Sequence, residues 1–287
     1  MENHNCILCS GKQLKALPRY QRAHLVECND CGLVFCKKIP SVNELSAYYG
    51  NYPRFSELSP ITVKRYNEIL DKFEPFKQTN NLLDMGCSNG LFLECARRRG
   101  WNVYGTEFAD DCIAQGAKNN IKIFKSDALP PEFFNLKFDV ITSFEVIEHI
   151  NTPNPEIELI KKVLRKGGAY YVTTPNFNAL SRLVLKEKWN VIEYPEHLSY
   201  YTPRTLTKLM QKHGFTTQFV VTTGISLARY NQSTGQTAAN CSEPITDEQL
   251  RDKIEHNSLL LFTKKTINFF LNFFKIGDAM KGLYVNS

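Results

Sequence analysis

The stretch Leu82-Leu83-Asp84-Met85-Gly86-Cys87-Ser88-Asn89-Gly90, followed one helical span later by Val103-Tyr104-Gly105-Thr106-Glu107-Phe108, decides the fold. Asn81 to Met85 is a short apolar run suited to a buried parallel strand, and Gly86 and Gly90 let the backbone turn tightly beneath a ligand. Leu91 to Arg99 reads as a helix. Trp101 to Thr106 reads as a second buried strand, whose tip delivers Glu107 seventeen positions past Gly90. A carboxylate placed there can accept from both hydroxyls of a ribose, so the pair points to a nucleoside. It does not point to a dinucleotide. A G-x-G-x-x-G fingerprint would need glycine at Ser88 and Leu91, and no G-x-x-x-x-G-K-[ST] phosphate loop occurs in the chain.

Two later segments extend the pattern. Ile121-Lys122-Ile123-Phe124-Lys125-Ser126-Asp127-Ala128 reads as a third strand with Asp127 at its end. Phe138-Asp139-Val140-Ile141-Thr142-Ser143-Phe144-Glu145 reads as a fourth, followed by Val146-Ile147-Glu148-His149-Ile150. These residues resemble class I S-adenosylmethionine (SAM)-dependent methyltransferases. The F-D-V-I-x-x-x-E-V-I-E-H-I run resembles the subgroup of ubiquinone-biosynthesis O-methyltransferases and many sugar and small-molecule enzymes. The matches cover roughly residues 80 to 220.

The resemblance implies an α/β fold: a Rossmann-like, seven-stranded, doubly wound sheet, mostly parallel with its last strand antiparallel. It also implies SAM as cofactor, held by Asp84, Gly86, Cys87, Ser88, Gly90, Glu107, Phe108, Asp127, Ala128 and Phe144. SAM carries no phosphate, which fits the missing phosphate cradle, and its sulfonium cation suits a pocket bearing Asp84 and Glu107. Ser88 departs from the glycine that many members carry, a small-for-small exchange.

Composition fits a globular chain with one large core and an appendage: 287 residues, 43% of them hydrophobic. The N-terminal residues lack the basic and apolar regions of a secretory signal, which makes the cytoplasm the expected compartment. Nine cysteines, an odd number, suit a reducing compartment better than a disulfide framework. The net charge of +6 permits an anionic acceptor. Much of it falls in the last turns of expected helices, at Arg97 to Arg99 and at Lys161, Lys162, Arg165 and Lys166, where cations complement the helix dipole. The basic residues form no aromatic-interleaved stripe, which argues against a nucleic-acid partner.

Cys6-x-x-Cys9 and Cys28-x-x-Cys31 are separated by eighteen residues, within the spacing range of four-cysteine zinc sites. Gly11 and Gly32 supply backbone freedom for two knuckles. Four thiolates make a closed site, so the expected metal is a structural Zn2+ holding a module over 1–40. His24 and Cys36 are not needed as ligands.

Residues 41–78 read as a helical linker or lid, opened by the Ser41 to Glu44 capping box and reopened at Ser59-Pro60. The SAM-binding core is expected over 79–224. Within it, Pro153 to Arg165 reads as a helix stopped by Gly167-Gly168, and Ala169 to Thr174 as a strand. Asn176 to Tyr201, rich in aromatic residues, reads as a substrate cap at the sheet's carboxyl edge. Thr202-Pro203 opens a helix to His213, and Phe215 to Thr222 forms another strand. Residues 225–287 read as a flexible insertion over 231–250, an apolar helix over 258–276 too charged to span a bilayer, and a final antiparallel strand from Gly282 to Asn286 at or near the sheet edge. That helix is expected to pack on the core or on a second subunit, with a membrane surface as the other reading.

Methyl transfer to a hydroxyl requires removal of a proton, a role suited to histidine near neutral pH. His149 and His197 are the alternative bases, and Glu145 is a candidate for binding the acceptor or orienting the cofactor. The leading reading is a small-molecule methyltransferase. The zinc-like module and the Glu-Leu-x-x-Tyr-Tyr helix resemble enzymes of surface-sugar and polysaccharide modification, which implies a sugar hydroxyl or glycan precursor as acceptor. The competing readings are a zinc-containing ribosomal-RNA methyltransferase and a non-catalytic SAM-fold binding module.

Overall fold

The structure is a computed structural model, and it describes residues 1–49, 59–125, 129–226, 230, 233 and 253–287. In chain order its elements begin with β1 (Leu14–Ala16), β2 (Leu25–Cys28), β3 (Val34–Cys36), α1 (Val42–Tyr49) and α2 (Pro60–Asp71). The first half of the core follows as β4 (Asn81–Met85), α3 (Leu91–Arg98), β5 (Asn102–Glu107), α4 (Asp110–Lys118), β6 (Ile123–Lys125) and β7 (Phe138–Phe144). The second half is α5 (Pro153–Val163), β8 (Leu164–Pro175), α6 (Leu180–Leu185), β9 (Ser199–Tyr200), α7 (Pro203–Lys212), β10 (Phe215–Thr223), α8 (Ser258–Phe273) and β11 (Ala279–Asn286).

Seven strands form one sheet in the order β10-β11-β8-β7-β4-β5-β6. The pairings β4 with β5, β5 with β6, β4 with β7 and β7 with β8 are parallel, while β11 runs antiparallel to both of its neighbours. This is the expected doubly wound α/β architecture. β11 lies one strand in from the edge, wedged between β8 and β10. β4 and β7 are buried along almost their whole length, polar residues included, because helices cover both faces of a parallel sheet. The chain leaves β4 in one direction for β5 and β6, then crosses back to β7. The crevice at the carboxyl ends of β4 and β7 is therefore the topological switch point, where such sheets bind ligands.

Local signals hold at the helix starts. Ser41 and Glu44 cap each other through Ser41 N to Glu44 Oε2 (2.9 Å) and Glu44 N to Ser41 Oγ (3.3 Å). Thr202 and Thr205 form the corresponding box on α7. At the helix expected over Pro153 to Arg165 the outcome differs. α5 ends at Val163 and the backbone is already extended at Leu164, so Gly167 and Gly168 lie inside β8. The cause is Asp139. One carboxylate oxygen accepts from the amides of Gln78, Thr79 and Asn80 at 2.7–2.8 Å, and the other accepts from Arg165 Nε at 2.6 Å. Arg165 is thereby pinned beside the start of β7. The strand must then pass close to Asp139, where a Cβ on Gly168 would lie 3.0 Å from the Asp139 carbonyl oxygen.

The N-terminal sheet has the order β1-β2-β3-β9 and is antiparallel throughout. Its fourth strand comes from the 176–201 segment, with Val34 opposite Tyr200 and Phe35 opposite Ser199. Trp189, Tyr200 and Tyr201 are buried, and Trp189 and Tyr200 share a core with Tyr20, Leu25, Val34 and Cys36. These aromatic side chains of the expected cap thus hold that segment to the N-terminal residues. At the other end of the chain, α8 packs on β10 mainly through Leu271 and two asparagines. The Asn268 side-chain oxygen accepts from Gly224 N–H (2.8 Å) and that of Asn272 from Thr222 N–H (3.1 Å). The apolar residues from Leu259 to Phe274 are expected on the core, on a second subunit or at a membrane surface; among them, within the described residues, Leu271 alone is buried in the chain itself. The 231–250 insertion lies almost wholly outside the described residues, and no helix among the described residues is long and apolar enough to cross a membrane.

Candidate active site

The turn after β4 is built as its glycines require. Gly86 has φ +67°, and a Cβ there would lie 2.5 Å from Val146 Cγ2; Gly90 has φ +78°. Ser88 adopts φ +50° and donates its amide to Glu107 Oε2 at 2.9 Å. The other Glu107 oxygen accepts from the amides of Phe108 (2.7 Å) and Ala109 (3.1 Å). One carboxylate thus ties the β4 turn to the β5 turn, and carboxylate oxygens can accept further bonds from ligand hydroxyls. Cys87 is buried beneath this turn, and β5 can pass it only because residue 105 is glycine, where a Cβ would lie 2.5 Å from Cys87 Sγ.

Asp84 sits one strand inward, at the switch point. It is buried, and Thr142 on β7 donates to its Oδ1 at 2.7 Å. Burial pushes the Asp84 carboxyl up to about 7, the Thr142 hydrogen bond opposing and the neighbouring Glu107 charge adding to the rise. Phe144 belongs to a ring cluster with Phe92 (4.9 Å), Tyr171 (5.8 Å) and Tyr66 (6.3 Å). Tyr66, on α2, is absent from the residues that sequence motifs single out. Burial, with the Asp84 charge next, raises its hydroxyl to about 12, so it stays a neutral donor. Its only sequence signal is membership of a capped helix preceding the first core strand. Phe108 is exposed beside Glu107, and Asp127 and Ala128 lie outside the described residues.

At the carboxyl end of β7, Glu145 has φ +53° and donates its amide to the Thr173 carbonyl at 3.1 Å. A non-glycine residue held there is strained, a feature that clusters at functional sites. His149 and His197, alternatives in the sequence, are neighbours in space: their ring centroids lie 4.9 Å apart, edge to face. His149 Nδ1 lies 2.9 Å from the Glu196 carbonyl oxygen and His197 Nδ1 2.7 Å from that of Val191. A carbonyl only accepts, so each Nδ1 carries the proton. Burial holds His149 below the usual histidine range, against the opposing charge and carbonyl of Glu196. Buried Glu148 completes the group, with one potential ligand atom from each of Glu148, His149 and His197 within 4.8 Å of one another. Tyr48 on α1 donates to Glu196 Oε2 at 2.6 Å, bringing the 41–49 helix onto the same loop.

Cys6, Cys9, Cys28 and Cys31 form the second cluster, all sulfurs lying within 4.8 Å. Cys6 and Cys31 are 3.5 Å apart, as are Cys9 and Cys28, too far for a disulfide and near the ~3.8 Å edge of a tetrahedron with ~2.3 Å metal–sulfur bonds. Leu8 N and Leu33 N each donate to a sulfur at 3.4 Å, one per knuckle. Gly32, at φ +80°, closes its knuckle by donating to the Cys28 carbonyl at 2.8 Å. The donor set fits zinc.

The chain resembles known proteins in both sequence and shape. A ubiquinone biosynthesis O-methyltransferase from Pelagibacter ubique is 31% identical over 139 residues, covering 44% of this chain and 58% of that protein. The chain thus spans little more than half the length of such curated relatives. Among solved structures, a SAM-dependent methyltransferase from Archaeoglobus fulgidus aligns over 78% of this chain and 94% of its own, with a TM-score of 0.51 at 17% identity. A cyclopropane synthase from Mycobacterium tuberculosis aligns over 81% and 87%, with a TM-score of 0.50 at 16% identity. Both share the fold. Residues 59–218, more than half of the chain and spanning α2 through part of β10, match the family described as a methyltransferase domain, and the chain belongs to that family.

Proposed function

We propose that this protein is a SAM-dependent methyltransferase that methylates a hydroxyl of a small molecule, a sugar or surface-polysaccharide precursor. The observation that carries the reading is the convergence of Asp84, the Gly86 turn and Glu107 at the switch point of the sheet. Glu107 would hold the ribose hydroxyls and Asp84 would lie on the cationic side of the ligand. When bound, SAM supplies an electrophilic methyl group.

The chain's own residues then have to hold the acceptor and take its proton. His197 is suited to taking the proton, because its Nδ1 hydrogen is committed to the Val191 carbonyl, which puts the basic lone pair on Nε2. Glu148 lies close enough to stabilise the imidazolium that forms. His149 packs edge-on against His197 and holds the Glu196 carbonyl, which makes it a positioning residue for the loop. Glu145, at the carboxyl end of β7, is the proposed acceptor-binding carboxylate.

The relatives named as ubiquinone biosynthesis O-methyltransferases favour a second acceptor class, a phenolic hydroxyl on a quinone precursor. Zn2+ at the four cysteines is proposed as structural, because a closed thiolate set leaves no position for substrate. The deciding experiment is incubation with labelled SAM and a panel of nucleotide sugars, glycans, phenolic quinone precursors and RNA, followed by identification of the methylated product. Label in a sugar or glycan supports the primary acceptor, label in the phenol supports the second, and absence of labelled small molecule overturns both.

A further inference from the structure

The helix α8 is amphipathic in the inverted sense. Its seam against the sheet carries Asn268 and Asn272, whose side chains accept from the backbone amides of Gly224 and Thr222, together with Leu271. The opposite face carries Phe262, Phe269 and Phe273. Eight large apolar side chains between Leu259 and Phe274 are 44–71% exposed. Phe269 meets Phe270 at 5.5 Å and stacks on Phe273 at 6.5 Å, and Phe273 meets Phe274 at 5.0 Å, so these four form one aromatic cluster, with exposed Phe262 two turns earlier on the same side of the helix. More exposed apolar side chains lie on the neighbouring α6. Leu180 N donates to the Ile276 carbonyl at 2.8 Å, which joins α6, with Leu183 and Val184 exposed, to the end of α8.

A helix facing water with its apolar side would cost stability unless something covers that side. The charges identify what does. No carboxylate lies between Glu255 and Asp278, whereas Lys264, Lys265 and Lys275 do, and Lys186 and Lys188 follow α6. Glu187, between those two, reaches to Arg19 at 3.8 Å. Lys264 is paired with Glu255, but Lys265, Lys186 and Lys188 are exposed. We infer that α8 and α6 together form a docking face for an anionic lipid surface: the aromatic side enters the boundary between headgroups and acyl chains, and the lysines meet lipid phosphates. The helix, about 24 Å long at ~1.5 Å per residue, would lie in the plane of the surface. A second copy of the chain would instead bring lysines of like sign together. The inference does not depend on the acceptor or on methyl transfer.

The test is sedimentation of the full chain with sucrose-loaded vesicles, one set of pure phosphatidylcholine and one containing phosphatidylglycerol. The expected result is binding to the anionic set that weakens as salt is raised, and a loss of affinity of about tenfold or more in the Phe262→Ser, Phe269→Ser, Phe273→Ser triple variant. Lys265→Glu, which leaves the apolar face intact, is expected to reduce the preference for anionic vesicles. Thermal melts of each variant alongside show that the fold persists. Failure to bind either vesicle set overturns the inference, as does equal binding by the parent chain and a folded triple variant. A concentration-dependent dimer that the triple variant abolishes, without vesicle binding by the parent, overturns it too and assigns the face to a second copy instead.

Discussion

The Thr142 hydroxyl donates to the Asp84 carboxylate at 2.7 Å, from β7 to β4, across the pair of strands at which the order of the sheet reverses. The bond joins the two halves of the fold at the point where a ligand enters. It also sets a proton equilibrium, because it favours the charged form of a carboxyl that burial biases toward the neutral form.

A carboxyl with a folded pKa of about 7 and an ordinary value of 3.8 binds more protons in the folded state than in the unfolded state between those values. Stability is therefore expected to fall as pH rises from about 4 to about 7, and Asp84→Asn to flatten that decline in denaturant titrations across the range. A cationic ligand favours the ionised form. SAM binding near pH 6.5 is thus expected to release up to about one proton, read from calorimetry in two buffers of different ionisation enthalpy. Proton release that is unchanged in Asp84→Asn would contradict the assignment.

Glu107→Ala removes the carboxylate that joins the β4 and β5 turns. SAM affinity should drop by roughly 30-fold, or about 2 kcal/mol, a size typical of losing charged hydrogen bonds. Equilibrium dialysis with labelled SAM measures it, and an unchanged affinity would place the ribose elsewhere.

His197→Ala should lower turnover by about 10² to 10⁴ while SAM affinity holds, the signature of a lost base. His149→Ala acts through the loop, so its deficit should include a raised KM for the acceptor. The His149 ring is held below the usual histidine range by burial, so it remains neutral to a lower pH than a free imidazole. Loop order, followed by the fluorescence of Trp189, should therefore persist as pH falls through about 6.5 and fail only below it.

Cys28→Ser should eliminate the zinc, otherwise about one per chain by elemental analysis, and destabilise the β1-β2-β3-β9 sheet. Because β9 begins two residues after His197, turnover should fall together with metal content. Full zinc occupancy in that variant would exclude Cys28 as a ligand.

Asp139→Ala leaves the Nε of Arg165 and three amides without their acceptor. A loss of about 3–5 kcal/mol is expected in denaturant titration, without a specific effect on SAM affinity in the fraction that remains folded.

What is legible in the sequence lies along the chain. The Gly86 turn, Glu107 at the strand tip, the caps at Ser41 and Thr202 and the paired cysteines are local patterns, each with a local physical cause. What is not legible lies across it. No period or spacing places Tyr66 near Asp84, sets His149 against His197, or brings Ser199 beside Phe35, since these contacts depend on how separate elements dock. Asp139 shows the middle case: it lies in a recognisable run, yet it gathers three amides and a guanidinium, and that gathering sets the start of β8 ahead of the two glycines. That the phenylalanines of α8 face away from the core, rather than into it, is hidden for a related reason. Apolar content predicts burial, but not which surface supplies it.

The position of β11 has a consequence for synthesis. Its rungs join Ala279 to Pro175 on one side and Asn286 to Phe215 on the other, so β8 and β10 have no shared neighbour until residues 279–286 have left the ribosome. β3 likewise waits about 160 residues for β9. Both sheets are thus completed late. A nascent chain halted after the methyltransferase-family segment would carry an open β8 edge beside an unpaired start of β10, edges prone to mispairing until β11 is made.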